Sequence, residues 1–141
     1  MDLEKHFDVA CSREVASEIA TRDETLTGLF PDARTELIES TPQLKTTVTH
    51  YTALGREGSA TFHFHLEGDG NVRFEKVCDG NVWRELSGTL RFEERRRGAR
   101  VRLTMRGKTK SLVPEFTIKG PMKDQLDEMA AALRERLEAE A

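Results

Sequence analysis

The stretch PMKDQLDEMAAALRERLEAE, running from Pro121 to Glu140, carries the pattern from which the fold is read. On a 3.6-residue turn, Met122, Leu126, Met129, Ala130, Leu133 and Leu137 fall in a stripe about 100° wide. Lys123, Asp127, Arg134 and Glu138 flank this stripe, and Asp124, Glu128 and Glu135 cover its back. Pro121 suits a first helical turn, where its missing N–H is not needed. The pattern therefore predicts a helix roughly 30 Å long. One apolar face of that length needs one broad partner surface, and the rest of the chain supplies strands.

Leu3, Lys5, Phe7 and Val9 alternate with Glu4, His6 and Asp8, as in a strand over residues 3–10. Ser12 is a good N-cap for a short helix from Arg13 to about Thr21. Asp23 can cap a second short helix carrying Leu26, Leu29 and Phe30, ended by Pro31-Asp32. Strands then follow at Arg34–Ser40, Leu44–Leu54, Ser59–Glu67, Asn71–Cys78, Val82–Glu94 and Ala99–Lys108. Short glycine-rich turns between them force antiparallel neighbours, hence a meander.

The 141 residues suit a single domain spanning 1–141, large enough for a real core. A net charge of −3 argues against general nucleic-acid or anionic-membrane binding. Cys11 and Cys78 have neither metal-ligand nor disulfide-framework spacing and are expected as free thiols in the cytoplasm. The N-terminus lacks the pattern of a signal peptide, and no apolar run is long enough for a membrane span. No cofactor and no metal site are expected. His63 and His65 share a strand face at a spacing that would suit two metal ligands, but a third ligand is not evident nearby.

Register decides which residues face inward. Ala60, Phe62, Phe64 and Leu66 share a face, as do Val72 and Phe74; Leu86, Leu90 and Phe92; and Val101, Leu103 and Met105. A three-residue turn Arg56-Glu57-Gly58, with Gly58 left-handed, sets His50 opposite Phe64 and brings Leu44, Val48 and Leu54 to the inner face. A one-residue slip would turn that set outward. The same logic points Arg84 inward with Leu86, Lys76 inward with Phe74, and Trp83 outward, unless a bulge near Asn81 reverses it. Gly88, among large inward residues, marks a place where the sheet bends or another group approaches closely.

An opening strand, two short helices, a six-strand meander and a long terminal helix resemble the helix-grip fold of the START-like superfamily, also described as SRPBCC, polyketide cyclase/dehydrase-like or birch-pollen-allergen-like. Within that order, Trp83-Arg84-Glu85-Leu86-Ser87-Gly88-Thr89-Leu90 resembles the family's late strand with its central glycine, and Leu112-Val113-Pro114 its usual lead-in to the helix. The resemblance implies an α+β fold in which a curved antiparallel sheet of about seven strands wraps a long C-terminal helix. It also implies a cavity between them for a hydrophobic or amphipathic molecule, such as a lipid, polyketide or quinone-like compound.

Candidate lining residues are Phe62, Phe64, Phe74, Phe116, Met105, Met122 and Met129, with Leu86, Leu103, Leu126, His50 and Arg84. Methionine adapts to irregular ligands, but the same set would equally fill an ordinary core. His50 is the one candidate acid or base, and Arg84 offers a planar fork to a ligand carboxylate or phenolate. A single inward histidine, with Glu94 the one carboxylate that could join it inside, favours binding over a cyclase or dehydratase reaction. The basic run from Arg91 to Lys110 puts Arg100, Arg102, Arg106 and Lys108 on one outward strand face. That strip would suit an interaction module of the chaperone-activator kind, or else a solvated hairpin balanced by Glu85, Glu93 and Glu94. An exposed Trp83 or an unpaired sheet edge would support a homodimer.

Overall fold

In a computed structural model describing residues 1–53 and 55–141, seven antiparallel strands form one sheet partnered by a long C-terminal helix. The elements are β1 (Asp2–Val9), α1 (Arg13–Ala20), α2 (Asp23–Leu26), β2 (Arg34–Ser40), β3 (Leu44–Ala53), β4 (Arg56–Leu66), β5 (Val72–Lys76), β6 (Trp83–Arg95), β7 (Gly98–Thr109) and α3 (Glu115–Glu140). The strands lie in the order β1-β7-β6-β5-β4-β3-β2, so the meander from β2 to β7 is completed by β1 on the far side of β7. This is the α+β arrangement expected.

The core sits between one sheet face and α3. Along β6, Leu86, Gly88, Leu90 and Phe92 are buried while their neighbours are not, the period of two that a one-sided sheet requires. From α3, Met122, Leu126, Met129, Ala130, Leu133 and Leu137 are buried, as the stripe predicted. Each large side chain withdrawn from water contributes about 1.5–3 kcal/mol. The helix packs mainly on β1, β7 and α1.

The two short helices close one end of the sheet. Ser12 caps α1 by accepting from the Val15 N–H at 3.2 Å. Arg13 donates from Nε to the Phe92 carbonyl and from Nη2 to the Asp69 carbonyl, both at 2.9 Å. Ser17 donates to the carbonyl of Gly70 at 2.6 Å, and the buried Thr25 hydroxyl donates to the Ile19 carbonyl at 2.6 Å. These bonds fasten α1 to the β4–β5 turn and α2 to α1. The opposite end carries the β3–β4 turn, the β5–β6 connection and the start of α3.

Three expectations are corrected. First, α3 begins at Glu115 behind Pro114, so Pro121 lies inside the helix on an exposed position and not in its first turn. Second, the β3–β4 hairpin closes with Ala53 opposite Arg56 and with Gly55 at φ 75°, so Gly55 and not Gly58 takes the left-handed position. His50 consequently faces Ser59 and Lys45 faces Phe64, which turns Leu44, Val48 and His50 to the outer face. Leu54, expected inward with them, lies outside the described residues. Third, the β6–β7 register slips between Trp83 and Glu85. The bulge falls at Arg84, which is exposed, and Trp83 turns inward.

Candidate ligand-binding site

Of the residues proposed to line a cavity, nine come together on the inner side: Phe62, Phe64, Phe74, Leu86, Leu103 and Met105 from the sheet, and Met122, Leu126 and Met129 from α3. Three phenylalanines continue one another, with ring centroids 6.3 Å apart for Phe62–Phe64 and 5.9 Å for Phe64–Phe74. Phe30 stacks on Phe62 at 6.3 Å. Beneath the second half of α3 this set is packed nearly solid. The void there measures about 10 Å³ and is lined by Phe64, Phe74, Leu103 and Met129 with Leu26, Leu29 and Leu133 among others. That is room for about one water, so these residues act as core.

The remaining three lie elsewhere. His50 stands on the outer face, its Nε2 3.3 Å from Glu36 Oε2; this contact, ahead of Arg34, holds the Glu36 carboxyl below its ordinary range. Arg84, on the bulge, donates to Ser111 Oγ at 3.1 Å. Phe116 is 83% exposed. Six residues at about 100° each put it some 120° around the helix from Met122, off the buried stripe.

The other histidines are outside as well. His63 shares a hydrogen bond with Thr46 at 2.8 Å, His65 with Glu75 at 2.8 Å, and His6 sits opposite Arg102 on the face away from the core. This polar layer occupies the outer side of β3 and β4 and explains the register. Thr47 and Thr49 can be buried inside because their methyls pack and the Thr49 hydroxyl is bonded to that of Thr35 at 2.9 Å.

The open end of the inner face has a different character. By register it carries Thr49, Tyr51, Ala60, Phe62, Lys76, Trp83, Leu86, Met105 and Thr109. Tyr51 remains 44% exposed, and Lys76 and Trp83 are half-buried. Among the described residues the Lys76 ammonium bonds only the carbonyl of Val77, at 3.1 Å. Tyr51, Lys76 and Arg56 are thus the titratable groups that strand pairing brings to this half of the inner face, and of these Tyr51 and Lys76 stand nearest Phe62 in register. Sequence reasoning missed Tyr51 because it follows from the β3 register, and it missed Trp83 because the bulge reverses it. Gly107, which has room for a ring on its face, was the available signal for Trp83.

The arginine strip is neutralised in place. Arg100 holds Asp8 at 2.8 Å, Arg106 holds Asp2 at 2.8 Å, and Arg102 bridges Glu93, at 2.7 Å, and Glu4. These bonds depress the carboxyls of Asp2, Asp8 and Glu93 and raise the Arg102 guanidinium further. The three arginines form a ladder that ties β1 to β7. The partners are mainly Asp2, Glu4 and Asp8, not the expected Glu85 and Glu94.

No protein-family model matches the chain, and no curated protein sequence matches it. Solved structures do. An aromatase/cyclase from a Streptomyces species superposes with a TM-score of 0.80 at 15% identity, covering 98% of this chain and 93% of that one. A START superfamily protein from Mycobacterium smegmatis gives 0.76 at 15% identity, with 99% of both chains covered. A STAR-related lipid transfer protein from Xanthomonas axonopodis gives 0.68 at 15% identity, over 96% of this chain and 85% of that one. The chain has the START-like helix-grip fold. No helix among the described residues is long and apolar enough to cross a membrane.

Proposed function

We propose that the protein binds a hydrophobic or amphipathic small molecule at the open end of the inner sheet face, beside the first half of α3. The observation that supports this reading is the asymmetry of that face. One end is sealed by α1 and α2 and packed solid, whereas the other leaves Tyr51 and Trp83 partly in water beside Phe62 and Leu86. Aromatic surface with a few polar groups is the usual lining of a small-molecule site. Cys11 and Cys78 are free thiols, which suits the cytoplasmic location proposed with it. Trp83 is the only tryptophan, so titration with N-phenylnaphthylamine reports directly. Saturable quenching of Trp83 emission with energy transfer to the probe is expected. Absence of both, together with no retained small molecule in native mass spectrometry, overturns the proposal.

A polyketide cyclase or dehydratase is the second reading, favoured by the likeness to the aromatase/cyclase fold. Since the four histidines lie on the outer face, its acid and base would be Tyr51 and Lys76. Turnover of an aromatic polyketide by the wild type, lost in Tyr51→Phe and Lys76→Met while probe binding persists, would establish it over simple binding.

A further inference from the structure

Leu112 and Phe116 are 96% and 83% exposed, the most solvent-exposed of the large apolar side chains among the described residues. Neither is explained by the fold or by the ligand reading. Leu112 precedes α3, and Phe116 is in its first turn, on the side away from the buried Met122. Counting about 100° per residue, Lys119 and Lys123 fall within roughly 60° of Phe116. Lys108 and Lys110 end β7 just before Leu112.

From Gly107 to Lys123 the chain holds four lysines and one acidic residue, Glu115, in a protein whose net charge is −3. Carboxylates stand nearby as well, with Asp124 next to Lys123 and Asp79 next to the Gly80 that Lys110 reaches. Glu85 stands across from Lys108 in the β6–β7 ladder, and Asp127 reaches Lys123 only at 4.0 Å while holding Lys5 at 2.9 Å. Lys110 donates to the Gly80 carbonyl, a neutral partner, at 2.5 Å. Arg84 adds a further positive charge through its bond to Ser111. This end of the molecule is therefore slightly basic and is tipped by two apolar side chains, in a protein whose net charge is −3.

We propose that this end docks on an anionic bilayer surface, with Leu112 and Phe116 entering the interface and the lysines meeting the headgroups. Apolar insertion and headgroup attraction are each weak alone and add when both are present. A lysine near an anionic surface contributes about 1 kcal/mol, and that contribution is screened by salt. Neither half of the contact depends on whether the inner face takes a ligand.

The test is co-sedimentation with vesicles of phosphatidylcholine and phosphatidylglycerol in equal parts, compared with phosphatidylcholine alone, at low and raised salt. The full chain should partition at least about tenfold more onto the anionic vesicles, and salt should reverse this. Leu112→Ser/Phe116→Ser should lose most of that binding with its charge unaltered, and Lys119→Glu/Lys123→Glu should lose the preference for anionic vesicles. All four positions are exposed, so unchanged thermal unfolding is expected to show that both variants fold. Equal partitioning onto both vesicle types overturns the proposal. So does wild-type behaviour of the serine variant, which would reduce the contact to charge alone. Binding to soluble polyglutamate without binding to either vesicle also overturns it, in favour of an acidic macromolecule.

Discussion

The indole of Trp83 lies against Gly107 so closely that a Cβ on that glycine would come within 2.4 Å of the ring. Two other inner-face aromatics do the same across a strand pair: Phe74 over Gly88 and Tyr51 over Gly58. Covering a strand glycine with a cross-strand ring compensates for its missing side chain.

The three glycines should tolerate alanine very differently. At Gly88 the added Cβ meets both the Phe74 ring and the Thr104 carbonyl oxygen at 2.3 Å, and backbone cannot step aside. Gly88→Ala should cost at least about 1–3 kcal/mol, the usual penalty of overpacking. Gly107→Ala meets only the half-buried indole and should cost less, while shifting Trp83 emission as the ring is displaced. Gly58→Ala meets the end of an exposed tyrosine free to swing, and its effect should stay within about 0.5 kcal/mol. Urea unfolding of the three variants gives the order directly; equal losses would show that ring packing does not govern these sites.

Element order and the α3 stripe were legible because period and turn chemistry repeat over many residues. Register was not. Leu44 and Val48 made the wrong face of β3 look like the buried one, since a hydroxyl-bonded threonine counts as polar in a pattern yet buries its methyl. The decision rested on one glycine, and Gly55, not Gly58, carries the positive φ. Local bulges are likewise silent in a period-two pattern, so Arg84 and Trp83 exchanged faces. Phe116 was assigned inward because it is aromatic and near the helix, but helical phase places it outside.

His50→Ala should be nearly silent. Among the described residues its one polar contact is the long 3.3 Å approach to Glu36 on the outer face, where Glu36 is exposed and His50 partly so. Stability should change by less than about 0.5 kcal/mol, and quenching of Trp83 by N-phenylnaphthylamine should be the same as in wild type. A loss of probe binding would mean that β3 pairs in the other register, with His50 inside.

Met129→Ala should test how full the interior is. Met129 is buried and borders the void of about 10 Å³ between Phe64, Phe74 and Leu133. Removing its side chain should cost about 2–5 kcal/mol and leave a dry apolar cavity able to take a solute such as benzene. Benzene should then raise the melting temperature of the variant and leave that of the wild type unchanged. Stabilisation of both proteins alike would show that space already exists beneath the second half of α3.

Acid should loosen β1 first. Asp2 and Asp8 lie below their ordinary value of 3.8 because of Arg106 and Arg100, and Glu93 lies below 4.5 because of Arg102. A carboxyl whose pKa is lower folded than unfolded adds stability above the unfolded value and loses it as pH falls through the folded one. The ladder should therefore help fully at neutral pH and fade below about pH 4. Because the pairs are solvent-exposed, salt should weaken them as well. Arg100→Met/Arg102→Met should have a lower urea midpoint than wild type at neutral pH, and the two should converge at about pH 3. Asp23, Glu36, Asp69 and Asp127 are depressed by other contacts, so the variant should keep part of the acid slope. A gap between the two proteins that stays constant from neutral to acid pH would mean that these arginines act through packing of their stems and not through the carboxylates of β1 and β6.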